Sequence, residues 1–325
     1  MPPVVLITGT AGFAGSHLAE LCLAQGCEVH GTYRSSGRLD NIADFAERLH
    51  LHECDLREAE AVRTLTEAVR PQLVFHLAAQ ASVVCSWQDP AGTISGNTAC
   101  ETNLLDALRD RPVRIHVACS SEEYSGADGL GLLTETAPLH PRTPYGISKL
   151  AQDLLAEQYA KAYGMYIVRT RAFNHTGPRL GAPYAMSAFA RQIALIECGV
   201  QEPVLRVGNL SARRNYTDVR DIVRGYWLAL QGGCPPGSVY NLCGSACRSI
   251  GELLNILLSF SRVSIEVQID PERLRPSDVP CFDGDGRQFS QATGWKPEIT
   301  LEQSLADLLG YWRIRVKHEQ GNGCC

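Results

Sequence analysis

Three residues of this 325-residue chain have the types and spacing to move a proton beside a hydride: Ser120, Tyr145 and Lys149. Tyr145 and Lys149 are four apart, which on a helix puts a phenol and an ammonium one turn apart on the same face. The ammonium lowers the phenol pKa, so the tyrosine can trade protons with a hydroxyl near neutral pH. Thr143 is suited to cap that helix and Pro144 to open it, so it would begin where Tyr145 projects. Ser120 follows a predicted strand over 114–118 and offers a second donor to the same substrate oxygen. The chemistry this combination can perform is hydride transfer at a carbinol or ketone carbon.

Such chemistry needs a dinucleotide, and the amino terminus is patterned for one. Val4-Val5-Leu6-Ile7 reads as a buried parallel strand. Thr8-Gly9-Thr10-Ala11-Gly12-Phe13-Ala14-Gly15 follows at once, and a helix is predicted over 16–25 with Gly26 as its stop. Strand, glycine turn and helix form the context of a pyrophosphate site, with G-x-x-G-x-x-G spacing rather than G-x-G-x-x-G. Gly9, Gly12 and Gly15 let the backbone approach the pyrophosphate, with Phe13 and Ala14 beside them. The second predicted strand, over 27–31, leads to Thr32-Tyr33-Arg34-Ser35-Ser36, with no Asp or Glu from Val29 to Gly37. A carboxylate there would hold a ribose 2′-hydroxyl; Arg34 and the serines would hold a 2′-phosphate. NADP(H) is therefore expected, with NAD(H) as a second possibility. Asp55, next to Leu56 at a strand end, either accepts from the adenine amine or caps the next helix.

Composition sets the bounds. Net charge is −5 and 45% of residues are hydrophobic, which excludes a basic nucleic-acid binder. No apolar run approaches the roughly 18 residues of a membrane span, and the start lacks a signal-peptide pattern. The thirteen cysteines are scattered. Cys243 and Cys247 lack a second pair in zinc spacing, so no metal site is expected. Free, buried thiols, as at Cys22, Cys54 and Cys119, fit a reducing cytoplasm.

Strands are predicted over 49–54, 73–77, 114–118 and 166–169, and helices over 58–69, 97–109 and 145–163. This alternation predicts an α/β fold, a Rossmann-like doubly wound parallel sheet. A smaller carboxyl-terminal substrate-binding domain is expected to follow. The expected division is a cofactor domain over 1–172, with 208–232 returning to it, a substrate domain over 173–315, and a polar tail over 316–325.

The glycine start, His76-Leu77-Ala78-Ala79-Gln80, Ser120-Ser121-Glu122-Glu123-Tyr124 and Pro144-Tyr145-Gly146-Ile147-Ser148-Lys149 resemble the extended short-chain dehydrogenase/reductases that modify nucleotide sugars. The resemblance runs to about Trp312. Arg171-Ala172-Phe173-Asn174-His175-Thr176-Gly177-Pro178, Val207-Gly208-Asn209-Leu210 and Arg273-Leu274-Arg275-Pro276-Ser277-Asp278-Val279-Pro280 are similar to the GDP-mannose branch. The short link after Arg34 and the Thr293-Gly294-Trp295-Lys296-Pro297 ending resemble its reductases. What this implies is NADPH-dependent reduction of the C4 ketone of a GDP-linked 4-keto-6-deoxymannose by a cytoplasmic homodimer. The alternatives are GDP-mannose 4,6-dehydration and a non-catalytic NADP-binding regulator. The resemblance implies Ser120, Tyr145 and Lys149 as catalytic residues, with Lys149 also on the nicotinamide ribose. Leu77, Ala78 and Ala79 join the cofactor contacts. Glu122 is implied either as a dehydratase base at C5 or as a group that merely positions the sugar. Ser121, Asn174, Arg191, Arg214 and Arg275 are the substrate contacts. Asp278 either binds the nucleoside ribose or forms a loop turn. Asn215 departs from the family's usual Asp, and Ser125 interrupts its usual Tyr-Gly.

Overall fold

The computed structural model describes residues 2–35, 37–125, 131–244, 246–273 and 281–320, and the chain divides into two compact units. The first comprises 1–173, 222–242 and 284–296; the second comprises 174–221, 243–283 and 297–325.

The first unit starts with β1 (Val4–Thr8), whose Val5, Leu6 and Ile7 are fully buried. It then alternates α1 (Phe13–Ala24), β2 (Glu28–Tyr33), β3 (His50–Glu53), α2 (Ala59–Val69), β4 (Leu73–His76), α3 (Val83–Gln88), α4 (Pro90–Leu108), β5 (Arg114–Ser120), α5 (Pro144–Tyr163) and β6 (Tyr166–Ala172). The link from β2 to β3 carries a 3-10 stretch, Asp40–Arg48. In the second unit lie β7 (Asn174–Thr176), α6 (Ala185–Glu197), β8 (Val204–Val207) and β9 (Arg213–Asp218). Next come α7 (Val219–Ala229) and β10 (Val239–Leu242), then β11 (Cys247–Ser249), α8 (Ile250–Ser259), β12 (Glu266–Ile269), β13 (Cys281–Phe282), α9 (Arg287–Thr293) and α10 (Leu301–Glu319).

The first unit's sheet has the order β10-β6-β5-β4-β1-β2-β3, and every pairing in it is parallel. This is the predicted doubly wound sheet. Its order reverses between β1 and β4, the place where such sheets open a crevice at their carboxyl ends. Leu6, Val74, Ile115, Val117 and Ile167 pack a core with Leu104, Leu105 and Leu108 of α4. These strands carry near-continuous apolar runs because both faces of the sheet are covered.

The second unit has shorter strands. β9 is flanked by β11 and β13 and also pairs with β7, while β8 pairs with β12. Asn215, in β9, donates to Asp283 Oδ1 at 2.6 Å and accepts from the Gly244 amide at 2.7 Å. An aspartate at 215 would set two carboxylates against each other, so the departure at this position is matched by its surroundings.

Candidate active site

The glycine turn is shaped by three close approaches. Gly9 has φ +72°, and a Cβ there would stand 3.0 Å from the Ala78 Cα. A Cβ on Gly15 would stand 2.2 Å from the Gly9 carbonyl oxygen, so the turn closes only on glycine. The Gly12 amide donates to that same oxygen at 3.0 Å and Gly12 precedes α1 as its cap residue. The helix begins at Phe13, three residues earlier than predicted, so Phe13, Ala14 and Gly15 form its first turn. No side chain caps that end and its first turn holds no acid. Amides and the positive end of the helix dipole are thus left to an anion, which fits a cofactor pyrophosphate.

The β4 end is tied to this turn. Thr8 Oγ1 accepts from the Leu77 and Ala78 amides, each at 3.1 Å, and lies 2.9 Å from His76 Nδ1. Leu77, Ala78 and Ala79 are half-buried along this rim. Arg34 is exposed directly after β2. Asp55 accepts from the Arg57 amide and side chain, both at 3.0 Å, and those bonds hold its carboxyl down to about 2. It does not cap α2, whose cap residue is Glu58. Leu56 is buried, its carbonyl accepting from Asn103 at 2.9 Å.

The catalytic candidates lie on β5 and α5. Thr143 caps α5, accepting from the Gly146 amide at 2.9 Å, and Pro144 takes the first position. Tyr145 is half-buried on this first turn and Lys149 is buried one turn on. Lys149 Nζ donates to the Ala118 carbonyl at 2.8 Å. Burial pulls its ammonium below the usual lysine range, opposed by the nearby Cys119, Glu101 and Glu123. Ser120 ends β5 and begins a short 3-10 turn, Ser121–Tyr124. Its hydroxyl accepts from the Glu122 amide at 3.2 Å, and its own amide donates to Glu123 Oε1 at 2.8 Å. Ser121 is buried in the turn. Thr143 Oγ1 donates to Glu122 Oε2 at 3.5 Å, setting that carboxylate beside the first turn of α5. Ser125, the other departure, accepts from the Arg142 amide at 2.8 Å and so ties the turn to the approach to α5.

Residues that the sequence reading missed hold this arrangement. Gln152 Nε2 lies 3.3 Å from His76 Nε2 and donates to the Asn97 carbonyl at 3.1 Å, joining α5 to β4 and α4. Burial, then Lys149, lowers His76 to about 3, so it is a neutral strut. Below the 3-10 turn, Arg171 donates to Asp153 Oδ2 and to the Tyr124 hydroxyl, each at 2.7 Å, and pairs with Glu123 at 3.0 Å. The Arg-Ala-Phe-Asn motif contained Arg171, but only the fold reveals its acidic partners.

In the second unit, Asn174 opens β7, half-buried. Arg191, on α6, pairs with Glu319 at 3.3 Å and lines a surface depression with Arg206 and Arg273. Arg214, on β9, donates to the Arg213 carbonyl at 2.8 Å. Arg275 and Asp278 lie outside the described residues.

A doubly wound parallel sheet with a glycine turn at β1, Ser120 at the end of β5 and Tyr145 and Lys149 on α5 defines a short-chain dehydrogenase/reductase. The model for "GDP-mannose 4,6 dehydratase" matches residues 6–308, and the chain belongs to that family. It is 32% identical over 318 residues to the GDP-6-deoxy-D-mannose reductase of Pseudomonas aeruginosa, covering 97% of this chain and 99% of the relative. It is 31% identical to GDP-mannose 4,6 dehydratase 2 of Arabidopsis thaliana, covering 92% and 84%. Among solved structures, RMD from Pseudomonas aeruginosa complexed with NADPH is similar, with TM-score 0.81, 31% identity and coverage of 96% and 99%. The UDP-glucose 4-epimerase of Thermotoga maritima aligns with TM-score 0.85 at 26% identity, covering 96% and 99%.

Proposed function

We propose that this chain reduces the C4 ketone of GDP-4-keto-6-deoxy-D-mannose with NADPH, giving a GDP-6-deoxyhexose such as GDP-D-rhamnose. The observation that carries this reading is the placement of Ser120, Tyr145 and Lys149. They lie on β5 and α5, and α5 is tied through Gln152 and His76 to the β4 end that packs on the glycine turn. Near-complete alignment with a reductase of the same family supports it.

NADPH, when bound, supplies the hydride. Gly9, Gly12 and the start of α1 hold its pyrophosphate, and Arg34 its 2′-phosphate. Tyr145 gives a proton to the C4 oxygen, so that the ketone becomes an alcohol. The Ser120 hydroxyl holds that oxygen, and the Lys149 ammonium stabilises the phenolate left on Tyr145. Ser121 and Asn174 contact the sugar, while Arg191, Arg214, Arg275 and Asp278 hold the GDP. We further propose a cytoplasmic homodimer. None of the eleven described cysteines is in a disulfide, and no helix among the described residues is long and apolar enough to cross a membrane. Light scattering on the purified chain measures the dimer.

The test of function is a pair of incubations with product identification by mass and NMR. GDP-4-keto-6-deoxy-mannose with NADPH should consume the cofactor and give a GDP-6-deoxyhexose. GDP-mannose dehydrated with no net change in NADP(H) would overturn the assignment.

One observation favours a second reading, GDP-mannose 4,6-dehydration: the Glu122 carboxylate stands beside the first turn of the Tyr145 helix. There it has the type and place of a base for the C5 proton, which is acidic once C4 is a ketone. Glu122→Gln separates the two. In a reductase, NADPH oxidation with the keto sugar survives within about tenfold, or about 1.4 kcal/mol of barrier. Solvent deuterium entering C5 of GDP-mannose, and lost in this variant, would establish the dehydratase.

A further inference from the structure

The edge of the first unit's sheet carries a cluster that the reductase chemistry does not use. Glu28 and His30 alternate on β2, and His50 and His52 alternate on β3, so each pair shares a face of the sheet. The parallel register sets His30 opposite His50. His30 Nε2 is 3.0 Å from Glu28 Oε1, and His50 Nε2 is 4.0 Å from the same oxygen. One ligand atom from each of Glu28, His30 and His50 lies within 4.8 Å of the other two. A tetrahedral zinc with nitrogen and oxygen ligands at 2.0–2.1 Å separates its donors by about 3.3 Å, so the observed distances bracket what such an ion requires.

A second observation points the same way. His30 presents its other nitrogen, Nδ1, to His52 Nε2 at 2.9 Å. A histidine that ligates through one nitrogen is usually oriented through the other by a hydrogen-bonding partner. The rings are also ordered by stacking: His30 and His50 centroids are 4.7 Å apart, and His30 and His52 centroids 5.2 Å. The His30 side chain is 12% exposed, against 42% for Glu28 and 61% for His50, so an ion would be gripped from below and open to water above.

We propose that Glu28, His30 and His50 form a surface site for a borderline divalent transition-metal ion such as Zn²⁺, with His52 orienting His30. The ion would clamp edge strand β3 to β2. Because binding to the folded form alone stabilises it by mass action, the melting temperature would rise with free metal. The competing soft site is the thiol pair Cys247 and Cys281 in the second unit, with sulfurs 3.7 Å apart.

The test uses the full chain, stripped with a chelator and titrated with Zn²⁺ by calorimetry and with Co²⁺ by visible absorption. The expected result is one saturable equivalent, a cobalt d–d spectrum without thiolate-to-metal charge transfer, and a melting temperature raised by Zn²⁺. His50→Gln, at an exposed position, and His30→Gln should each weaken Zn²⁺ by about tenfold or more, and His52→Gln by about tenfold. The double variant Cys247→Ser, Cys281→Ser should bind as the unaltered chain does. No saturable binding would overturn the site. So would binding that survives His50→Gln but is lost with the two cysteines. Circular dichroism of each metal-free variant identifies a folding failure, and His50→Gln alone decides if His30→Gln does not fold.

Discussion

Tyr145 earns its proposed role by position. It stands half-buried on the first turn of a capped helix, on the same face as a lysine whose ammonium is held against the Ala118 carbonyl. Tyr145→Phe keeps the ring and removes only the proton. Turnover of the keto sugar should fall about 10²-fold or more while NADPH still binds. Near wild-type turnover in a folded variant would take Tyr145 out of the mechanism. Arg34 is the test of cofactor choice, being exposed at the β2 end with no acid from Val29 to Gly37. Losing a charged partner costs about 1.5–3 kcal/mol, so Arg34→Ala should weaken NADPH by roughly ten- to hundredfold and NADH much less. Equal losses, read by fluorescence titration of both cofactors, would make Arg34 structural.

At the scale of elements, legibility followed how local the determinants were. The α5 start could be read from Thr143-Pro144, and the structure has that cap. The α4 start is at Pro90, seven residues before the predicted Asn97. There Asp89 accepts from the Gly92 amide at 2.9 Å, a cap with Pro at the first position, so Asp-Pro was a usable signal. Of the two readings of Asp55, the structure removes the helix cap, because Glu58 takes that place while Arg57 engages the carboxylate. The grip of Arg171 on Asp153 and Tyr124 spans 18 and 47 residues, beyond the reach of periodicity. The histidine cluster depends on the β2–β3 register, although His50-Leu51-His52 announced two imidazoles on one face of a strand. Gly15→Ala tests the glycine turn. In an open helix this change stabilises by about 1 kcal/mol, but here the new Cβ meets the Gly9 carbonyl at 2.2 Å. The clash should win, with a lower melting temperature and NADPH binding weakened at least about tenfold. A higher melting temperature with intact binding would show that the turn relaxes freely.

At the scale of the whole molecule, the first unit keeps Glu101, Glu123, Lys149, Asp153, Arg169 and Arg171 buried together. Burial raises the Asp153 carboxyl, but Arg171 and Arg169 outweigh it and hold the group ionised. Glu101 is held less closely: among the described residues no side chain or amide makes a well-formed hydrogen bond to either of its oxygens. Burial pushes its carboxyl well above the usual range; the Lys149 ammonium, the Gln152 amide and Arg169 oppose this, and the Asp153 carboxylate adds to it. The folded state therefore holds a proton on Glu101 at pH values where the unfolded chain, with an ordinary glutamate near 4.5, has lost it. Stability from this proton is fully present below that value and is lost as pH rises toward the folded pKa, at about 1.4 kcal/mol per unit. Glu101→Gln keeps the shape without the titration. Its melting temperature relative to wild type should therefore climb from pH 5 to pH 8, as wild type alone bears the growing cost. Burial of His76 and His116, each lowered to about 3, acts below pH 6.5 and equally in both proteins, so it cancels in the comparison. A gap between the two melting curves that stays constant or narrows over this range would mean that Glu101 is ionised in the fold and paired with Lys149.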